Sequence, residues 1–512
     1  MGLLSRIKQI GHLQSDLFAN FAGGGWTGLV QIACIPLYIK FLGIEAYGLV
    51  GFYAVLTVML QVLDLGLSPT MNREMARYSV QPEKAAEARD LVRTLEVGYW
   101  LVGVAIGGVI VAGSGLIATR WIKAGNLPVR TIQQAVMIMG VLAFLQWPIS
   151  FYQGGLMGLR RQVLYNVSKI SLVTATHGGA VLILWCVSRT PQAFFLWLAV
   201  TSAAQVILLA YFLWKSLPPA ACAPRWDFKL VRSIWRFAAG MSGITISALI
   251  LGQLDKVILS RLVSLKVFGY YTVAGMFGLG LLTIVTAVVN TVFPRFSAMV
   301  AAHDEAALVR LYHSATQLLA VLIVPAGAVL SLFSYDVLLL WTRNAEVARN
   351  AGPIAAVLVV GTALNGLMHM PYHLQLAYGW TSIGLYINTC FVIVVPPAIW
   401  YLARHYGPLG AASVWVGLNA IYLIVGVPLT HRRLLRHEMT RWFAEDVAPA
   451  SVAALLVAGL GRAFIRTTMG AGGTLAAVLV LYLAALTAAA LAAPRIRSRV
   501  LGELAKIRLS YA

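Results

Sequence analysis

The stretch GQLDKVILSRLVSLKVFGYYTVAGMF, residues 252–277, places an acid and a base near the end of an apolar segment. Asp255 and Lys256 lie in a run from 242 to 261 that is otherwise apolar enough to span a bilayer. A short polar break follows, and Gly269 then opens the next apolar segment. Charges beside hydrocarbon are costly and usually functional. The stretch therefore predicts a membrane protein with functional charges near a helix end.

The composition agrees with this interpretation. Of 512 residues, 60% are hydrophobic and 11% charged, and the mean hydropathy is +0.80. Soluble domains carry about 25% charged residues. We predict an all-α polytopic membrane protein without a soluble domain of ordinary size. Its basic, amphipathic N-terminus lacks an apolar core and a cleavage site, which is typical of a cytoplasmic lead-in.

Apolar runs of about 20 residues predict about fourteen transmembrane helices. They lie near 17–40, 46–68, 95–119, 132–154, 164–188, 193–214, 237–261, 268–293, 314–340, 353–377, 381–403, 409–430, 447–466 and 471–493.

The net charge of +21 follows from the positive-inside rule and from contact with anionic lipid headgroups, so we expect no nucleic-acid partner. A basic cavity for an acidic substrate is the alternative. Of the 39 Lys and Arg residues, 26 fall on one side of the predicted spans, 12 on the other, and Lys256 inside a span. This bias predicts that both termini are cytoplasmic.

A weak internal repeat relates the first two spans to the seventh and eighth. Gly48 corresponds to Gly269 and Pro69 to Pro294, at offsets of 221 and 225. The equivalent units are an even number of spans apart, so the repeat is parallel. We predict two pseudo-symmetric six-helix lobes around a central cavity, two further helices and a basic tail. The predicted boundaries are 1–215 for the N-terminal lobe, 216–236 for a cytoplasmic linker, 237–430 for the C-terminal lobe and 431–512 for the remainder.

Few acids lie deep in the predicted spans, and we identify Asp64 and Asp255. Asp64 is either an interfacial helix-end residue or a protonatable group at a gate. Adjacent helical residues point about 100° apart, so we expect that Asp255 and Lys256 do not pair with each other. Lys256 either lines the cavity or reaches outward to the membrane surface.

Arginines near span ends allow two interpretations. Arg73 and Arg295 either maintain the topology or bind a diphosphate headgroup through paired hydrogen bonds. On the tenth span, Asn365, His369 and His373 recur every four residues, which favours a polar stripe facing the cavity over a zinc site. The full set of predicted cavity residues is Gln31, Asp64, Arg73, Asp255, Lys256, Arg261, Asn290, Arg295, Asn365 and His369.

Enzyme and cofactor motifs are absent from the sequence: it has no GxSxG elbow, Walker loop or HExxH helix. The four cysteines are scattered without metal or disulfide spacing. We therefore predict no catalytic residue, no metal and no cofactor. A carrier without a nucleotide motif draws on an ion gradient, the membrane potential or the gradient of its substrate.

Three segments resemble the Wzx-type polysaccharide flippases. The first is NFAGGGWTG (20–28) followed by LGIEAYG (42–48), and the second is DLGLSPT (64–70). The third is the pair 255–256 with GYYT (269–272). The resemblance covers most of the first 300 residues by motif.

The resemblance implies the multidrug/oligosaccharidyl-lipid/polysaccharide exporter fold, with two six-helix bundles around a cavity that opens alternately to either side. It implies a flippase that moves undecaprenyl-diphosphate-linked oligosaccharide repeat units from the cytoplasmic to the periplasmic leaflet of a bacterial inner membrane. Ion coupling and a polysaccharide polymerase partner are implied as well.

Two other functions remain open. An ion-coupled multidrug exporter of the same superfamily would bury carboxylates in its cavity, whereas Asp64 and Asp255 lie near helix ends. A membrane enzyme of the same pathways would carry a large loop on the far side, whereas every connector there is short.

The charge bias yields a topology prediction. Alkaline phosphatase, which is active only outside the cytoplasm, should be active when fused after residue 125 and inactive when fused after residue 220. Green fluorescent protein at the same two positions, as the matched control, should show the opposite pattern. Active phosphatase at 220 would contradict a cytoplasmic location of both termini.

Overall fold

A computed structural model describes residues 3–64, 66–220, 222–227, 249–465 and 470–498. These residues are almost all helical and include no strand. The chain divides into two compact units, Met1–Gly269 (unit 1) and Tyr270–Ala512 (unit 2). The all-α class is confirmed, while the lobe boundaries at 215 and 237 stay a prediction.

Unit 1 contains nine helices among its described residues. They are α1 (Leu3–Leu42), α2 (Ile44–Leu63), α3 (Leu67–Tyr78), α4 (Ala85–Leu116), α5 (Val129–Gln146), α6 (Ile149–Gly158), α7 (Gln162–Cys186), α8 (Pro191–Ser216) and α9, described over 249–262. A π-helical turn, Ile117–Trp121, continues α4.

The following helices lie in unit 2, except for the first turn of α10. They are α10 (Leu265–Ala301), α11 (Glu305–Leu332), α12 (Ser334–Thr342), α13 (Ala345–Ala377), α14 (Ser382–Ile421), α15 (Val427–Leu434), the short α16 (Met439–Arg441), α17 (Ala448–Phe464) and α18 (Ala471–Ala492). The π-helical turns Tyr422–Gly426 and Trp442–Val447 join α14 to α15 and α16 to α17.

Side-chain caps set the start of several helices. The Thr190 hydroxyl accepts a hydrogen bond from Ala193 N at 3.3 Å, and Pro191 occupies the first turn of α8. The Asn344 amide oxygen accepts from Val347 N at 3.1 Å at the start of α13. These groups satisfy backbone donors that have no partner within the helix.

Twelve helices in the described part of the chain are long and apolar enough to cross a membrane. One of them, Ser382–Leu434, has 53 residues and would be about 80 Å long at 1.5 Å per residue. Gly407, with φ 62° and ψ −146°, kinks it between the predicted spans 381–403 and 409–430. Residues 237–248 of the predicted span 237–261 lie outside the described residues, so the number fourteen stays a prediction.

Each unit has its own hydrophobic core. In unit 1, Met71 of α3, Phe151 of α6 and Leu213 of α8 are fully buried together. In unit 2, Phe296 of α10 and Leu374 of α13 are fully buried in one cluster with residues of α11 and α15. These cores fix the helix ends that carry the polar groups described below.

The last two helices pack onto unit 2 through alanines. Ala450, Ala454 and Ala458 of α17 are fully buried and recur every four residues, as do Ala485 and Ala489 of α18. Small residues at this spacing let helix backbones approach closely in a membrane. The pair therefore forms part of unit 2, packed against α11.

A buried polar cluster strengthens this attachment. His313 of α11 is fully buried; its Nε2 lies 2.9 Å from Glu438 Oε2, and its Nδ1 contacts the Asp446 carboxylate. Gln317 Nε2 donates to Asp446 Oδ1 at 2.9 Å. Asp446 lies just outside the predicted span 447–466, yet the structure buries it completely.

Asp446→Asn should destabilise the protein. The carboxylate faces His313 and Gln317 with two acceptor oxygens, whereas a carboxamide would turn its NH₂ group toward one of them and leave two donors facing each other. An unsatisfied buried donor costs about 1–3 kcal/mol, so the thermal unfolding midpoint in detergent should fall clearly. Glu445→Gln is the matched control, since the Glu445 side chain is 46% exposed and pairs with Arg441 on the surface. Equal midpoints for the two variants would contradict a stabilising role of the cluster.

Candidate functional site

Asp64 lies at the junction of α2 and α3 and contacts two further helices, α4 and α6. Its Oδ1 accepts hydrogen bonds from the Tyr99 hydroxyl at 2.6 Å and the Ser68 hydroxyl at 2.8 Å, and its Oδ2 accepts from Ser68 N at 3.1 Å. The Ser150 hydroxyl of α6 lies 3.5 Å from Oδ1. This carboxylate caps α3 and holds α4 and α6 beside it, which fits the helix-end interpretation.

Glu96 is a deep acid that the sequence reasoning missed. It is buried in α4, where Oε1 accepts from the Tyr152 hydroxyl at 2.7 Å and from Trp214 Nε1 at 3.1 Å. Arg93 Nη1 lies 3.1 Å from Oε2. An acid three residues after an arginine at the edge of an apolar span was the available signal, because such pairs meet on one helix face.

Asp255 and Lys256 form an ion pair, so the prediction that they do not pair is wrong. Lys256 Nζ lies 3.3 Å from Asp255 Oδ1 and also donates to Gly252 O at 3.3 Å. The 100° rule describes the directions of Cβ atoms, whereas a lysine side chain is long enough to turn back to its neighbour. The side chains are 28% and 18% exposed for Lys256 and Asp255.

Asn365, His369 and His373 lie along one face of α13, and that this face lines a cavity stays a prediction. Asn365 Nδ2 donates to Asn419 Oδ1 at 2.8 Å, and Asn365 Oδ1 lies 3.2 Å from His369 Nε2. The rings of His369 and His373 are stacked with centroids 5.6 Å apart. The buried Nδ1 atom of His369 has no hydrogen-bond partner in the described structure. The stripe therefore offers one unused polar atom beside two carboxamides.

The zinc interpretation gains no support from this stripe. Within residues 3–64, 66–220, 222–227, 249–465 and 470–498, no three His, Cys, Asp or Glu side chains are placed to hold a metal ion.

The remaining predicted cavity residues are exposed. Arg73 lies 3.7 Å from Glu74, and the Arg261 guanidinium lies 5.4 Å from the centroid of the Trp121 ring. The others are Gln31 on α1 and Asn290 and Arg295 on α10. Of the ten predicted residues, the structure thus brings together Asp255 with Lys256 and Asn365 with His369.

An apolar groove of about 460 Å³ lies between α11, α12 and α18 in unit 2. Its walls carry almost no polar atoms, so it suits a hydrocarbon chain. The lining residues are Ala326, Val329, Leu330, Val337, Leu340, Trp341, Leu475, Val478, Leu479 and Tyr482. The lining residues come from three separate helices, so the hydrophobic periodicity of any one helix does not predict the groove.

Comparisons with known proteins, solved structures and a family model show what this chain is similar to. The chain is 21% identical over 408 residues to a protein of Shigella flexneri named "Putative O-antigen transporter", covering 79% of this chain and 95% of that protein. A structure of "Lipid II flippase MurJ, inward closed conformation" is similar with a TM-score of 0.68 and 12% identity, over 92% of this chain and 97% of that one.

A second solved structure has the same fold. An inward-facing multidrug resistance MATE family transporter of the MOP superfamily matches with a TM-score of 0.63 and 15% identity, covering 81% of this chain and 95% of that one. The family model described as "Polysaccharide biosynthesis protein" matches residues 13–300, more than half of the chain. The protein therefore belongs to the polysaccharide biosynthesis protein family and has the fold of the MOP-superfamily transporters.

Proposed function

We propose that this protein is a flippase for undecaprenyl-diphosphate-linked oligosaccharide repeat units. It moves them from the cytoplasmic to the periplasmic leaflet of a bacterial inner membrane by alternating access, with both termini in the cytoplasm. The observation that carries the proposal is the family match over residues 13–300, together with the likeness to an O-antigen transporter over 95% of that protein's length.

The chemistry of the described surfaces supports an amphipathic substrate. An isoprenoid tail needs apolar surface, which the groove between α11, α12 and α18 provides. An oligosaccharide needs hydrogen-bonding groups, which the Asn365–His369 stripe provides. A diphosphate needs cations, for which Lys256, Arg73 and Arg295 are the candidates; Lys256 and Arg73 would exchange their carboxylate partners Asp255 and Glu74 for the diphosphate. The transported molecule undergoes no covalent change, so the protein is a carrier and no enzyme.

An ion-coupled multidrug exporter is the alternative, favoured by the likeness to a multidrug transporter fold. A cationic drug needs a carboxylate whose charge is free for it. In unit 1, Glu96 pairs with Arg93, Asp255 pairs with Lys256, and Asp64 accepts three hydrogen bonds within 3.1 Å. These contacts favour the oligosaccharide substrate.

The energy source and the partner complete the proposal. The sequence carries no nucleotide-binding motif, and we propose an ion gradient as the energy source, in preference to the membrane potential or the gradient of the substrate. The flipped repeat unit then becomes the substrate of a polysaccharide polymerase, which is the expected partner in the periplasmic leaflet.

The direct test is the leaflet distribution of undecaprenyl-linked oligosaccharides in host cells with the protein present and depleted. Complete repeat units should accumulate in the cytoplasmic leaflet on depletion, and a plasmid copy of the wild-type gene should restore their distribution. A normal distribution combined with increased sensitivity to cationic dyes would contradict the proposal and favour the drug exporter.

Lys256→Gln should slow this transport about tenfold or more, since a hydrogen bond to a charged group contributes about 1.5–3 kcal/mol. The substitution keeps a polar side chain that is one atom shorter and removes the cation that would bind the diphosphate. Lys215→Gln, at the exposed end of α8, changes the charge equally and should transport at the wild-type rate. Wild-type transport by both variants would rule out a role of Lys256 in binding the headgroup.

A further inference from the structure

Two equivalent glycines of the internal repeat meet at one end of unit 1. A Cβ atom added to Gly48 would collide with the carbonyl oxygen of Leu265, and one added to Gly269 would collide with that of Ile44. The contact is reciprocal, because Ile44 and Leu265 are also separated by 221 residues, as the two glycines are. The first turns of α2 and α10 therefore cross in close contact, each glycine against a backbone carbonyl of the other helix, with the side chains of Leu265 and Ile44 beside the contact.

The connector between α4 and α5 lies across this crossing. We name residues 122–128 the strap. Leu265 N donates to Lys123 O at 2.8 Å, and Lys123 Nζ donates to Leu262 O at the end of α9 at 2.9 Å. Just before the strap, Trp121 Nε1 donates to the Ser260 hydroxyl at 3.0 Å. Both the backbone and the side chains of this segment thus hold the connector between α9 and α10.

The other end of the strap is held by α2. The Glu45 carboxylate accepts hydrogen bonds from the backbone N–H groups of Gly125 at 2.7 Å, Asn126 at 3.0 Å and Leu127 at 3.3 Å. Successive backbone donors that converge in this way bind anions. One side chain in the first turn of α2 therefore fastens the strap, and the strap fastens the first turn of α10.

The strength of these contacts suits a reversible closure. The Glu45 contacts with Gly125 and Asn126 and the Lys123 contact are solvent-exposed, and hydrogen bonds in contact with water exchange readily for bonds to water. The crossing involves the first turn of α10, up to Gly269, which belongs to unit 1 together with α2 and the strap. Whatever moves α10 must first separate it from Gly48 and the strap.

We propose that the strap and the Gly48–Gly269 crossing form a latch that must open in each transport cycle. This inference rests on the alternating access of the proposed function. Glu45 is the positioning residue of the latch: it holds the strap in place, and the strap holds the α9–α10 connector against α2. When the latch opens, Gly48 and Gly269, which correspond in the repeat, move apart.

A reducible crosslink tests whether the latch must open. In the full-length protein with its four cysteines replaced by serine, Glu45→Cys and Gly125→Cys would be joined with a short bis-methanethiosulfonate. Transport should stop on crosslinking and return on reduction. Gln134→Cys with Gln192→Cys is the matched control, since these side chains meet at 3.0 Å between α5 and α8, away from the strap. Undiminished transport with the Glu45–Gly125 crosslink in place would overturn the proposal.

A labelling experiment tests the latch without any substrate. Ser260→Cys introduces a thiol at a site that is only 7% exposed and lies beneath Trp121. Adding Glu45→Gln should raise its rate of reaction with a maleimide about tenfold, as expected for loss of a charged hydrogen-bond acceptor. Glu87→Gln, in the exposed first turn of α4, should leave the rate unchanged.

The two experiments separate failure of the latch from failure of the proposed function. Equal labelling rates with Glu45→Gln and Glu87→Gln would overturn the latch, whatever the substrate is. Absence of oligosaccharide flipping by the uncrosslinked protein, with the tenfold difference in labelling present, would overturn the proposed function and support a latch that opens.

Discussion

Close approach of helix backbones at small residues is the interaction on which this structure depends. In hydrocarbon no hydrophobic effect drives one helix against another, so association rests on packing and hydrogen bonds. Gly154 of α6 packs against the backbone of Ser68. A Cβ atom at position 154 would lie only 2.5 Å from the Ser68 carbonyl oxygen. Alanines on α17 and α18 play the same part in unit 2. The Gly48–Gly269 crossing uses this packing to join the beginnings of two repeat-equivalent helices.

Polar groups in such a protein must find partners within the chain, and this requirement explains where the charges lie. Glu96, Asp446 and Asp64 are each surrounded by hydroxyl, indole, imidazole or amide donors. Through these contacts they hold neighbouring helices together. The proposed function draws on other surfaces, which in unit 2 are the carboxamide stripe of α13 and the apolar groove.

Sequence reasoning succeeded where a property depends on local periodicity. The helical class, the membrane character and the stripe from Asn365 to His369 follow from runs of apolar residues and from a spacing of four. It failed where side-chain reach or distant partners decide. Lys256 turns back onto Asp255 although their Cβ atoms diverge. Asp446 is adjacent to polar residues in the sequence, yet His313 and Gln317 from a helix more than 120 residues away enclose it.

The sequence by itself determined that this is a helical membrane protein of the polysaccharide biosynthesis family, and it predicts that Gly48 and Gly269 correspond in a weak internal repeat. Hydropathy and motif order suffice for these conclusions because both are properties of consecutive residues. Only the tertiary structure decided that the two glycines touch, that Glu45 fastens the strap, and that α11, α12 and α18 enclose a groove. Each of these contacts joins residues far apart in the chain, and their meeting depends on how the helices pack.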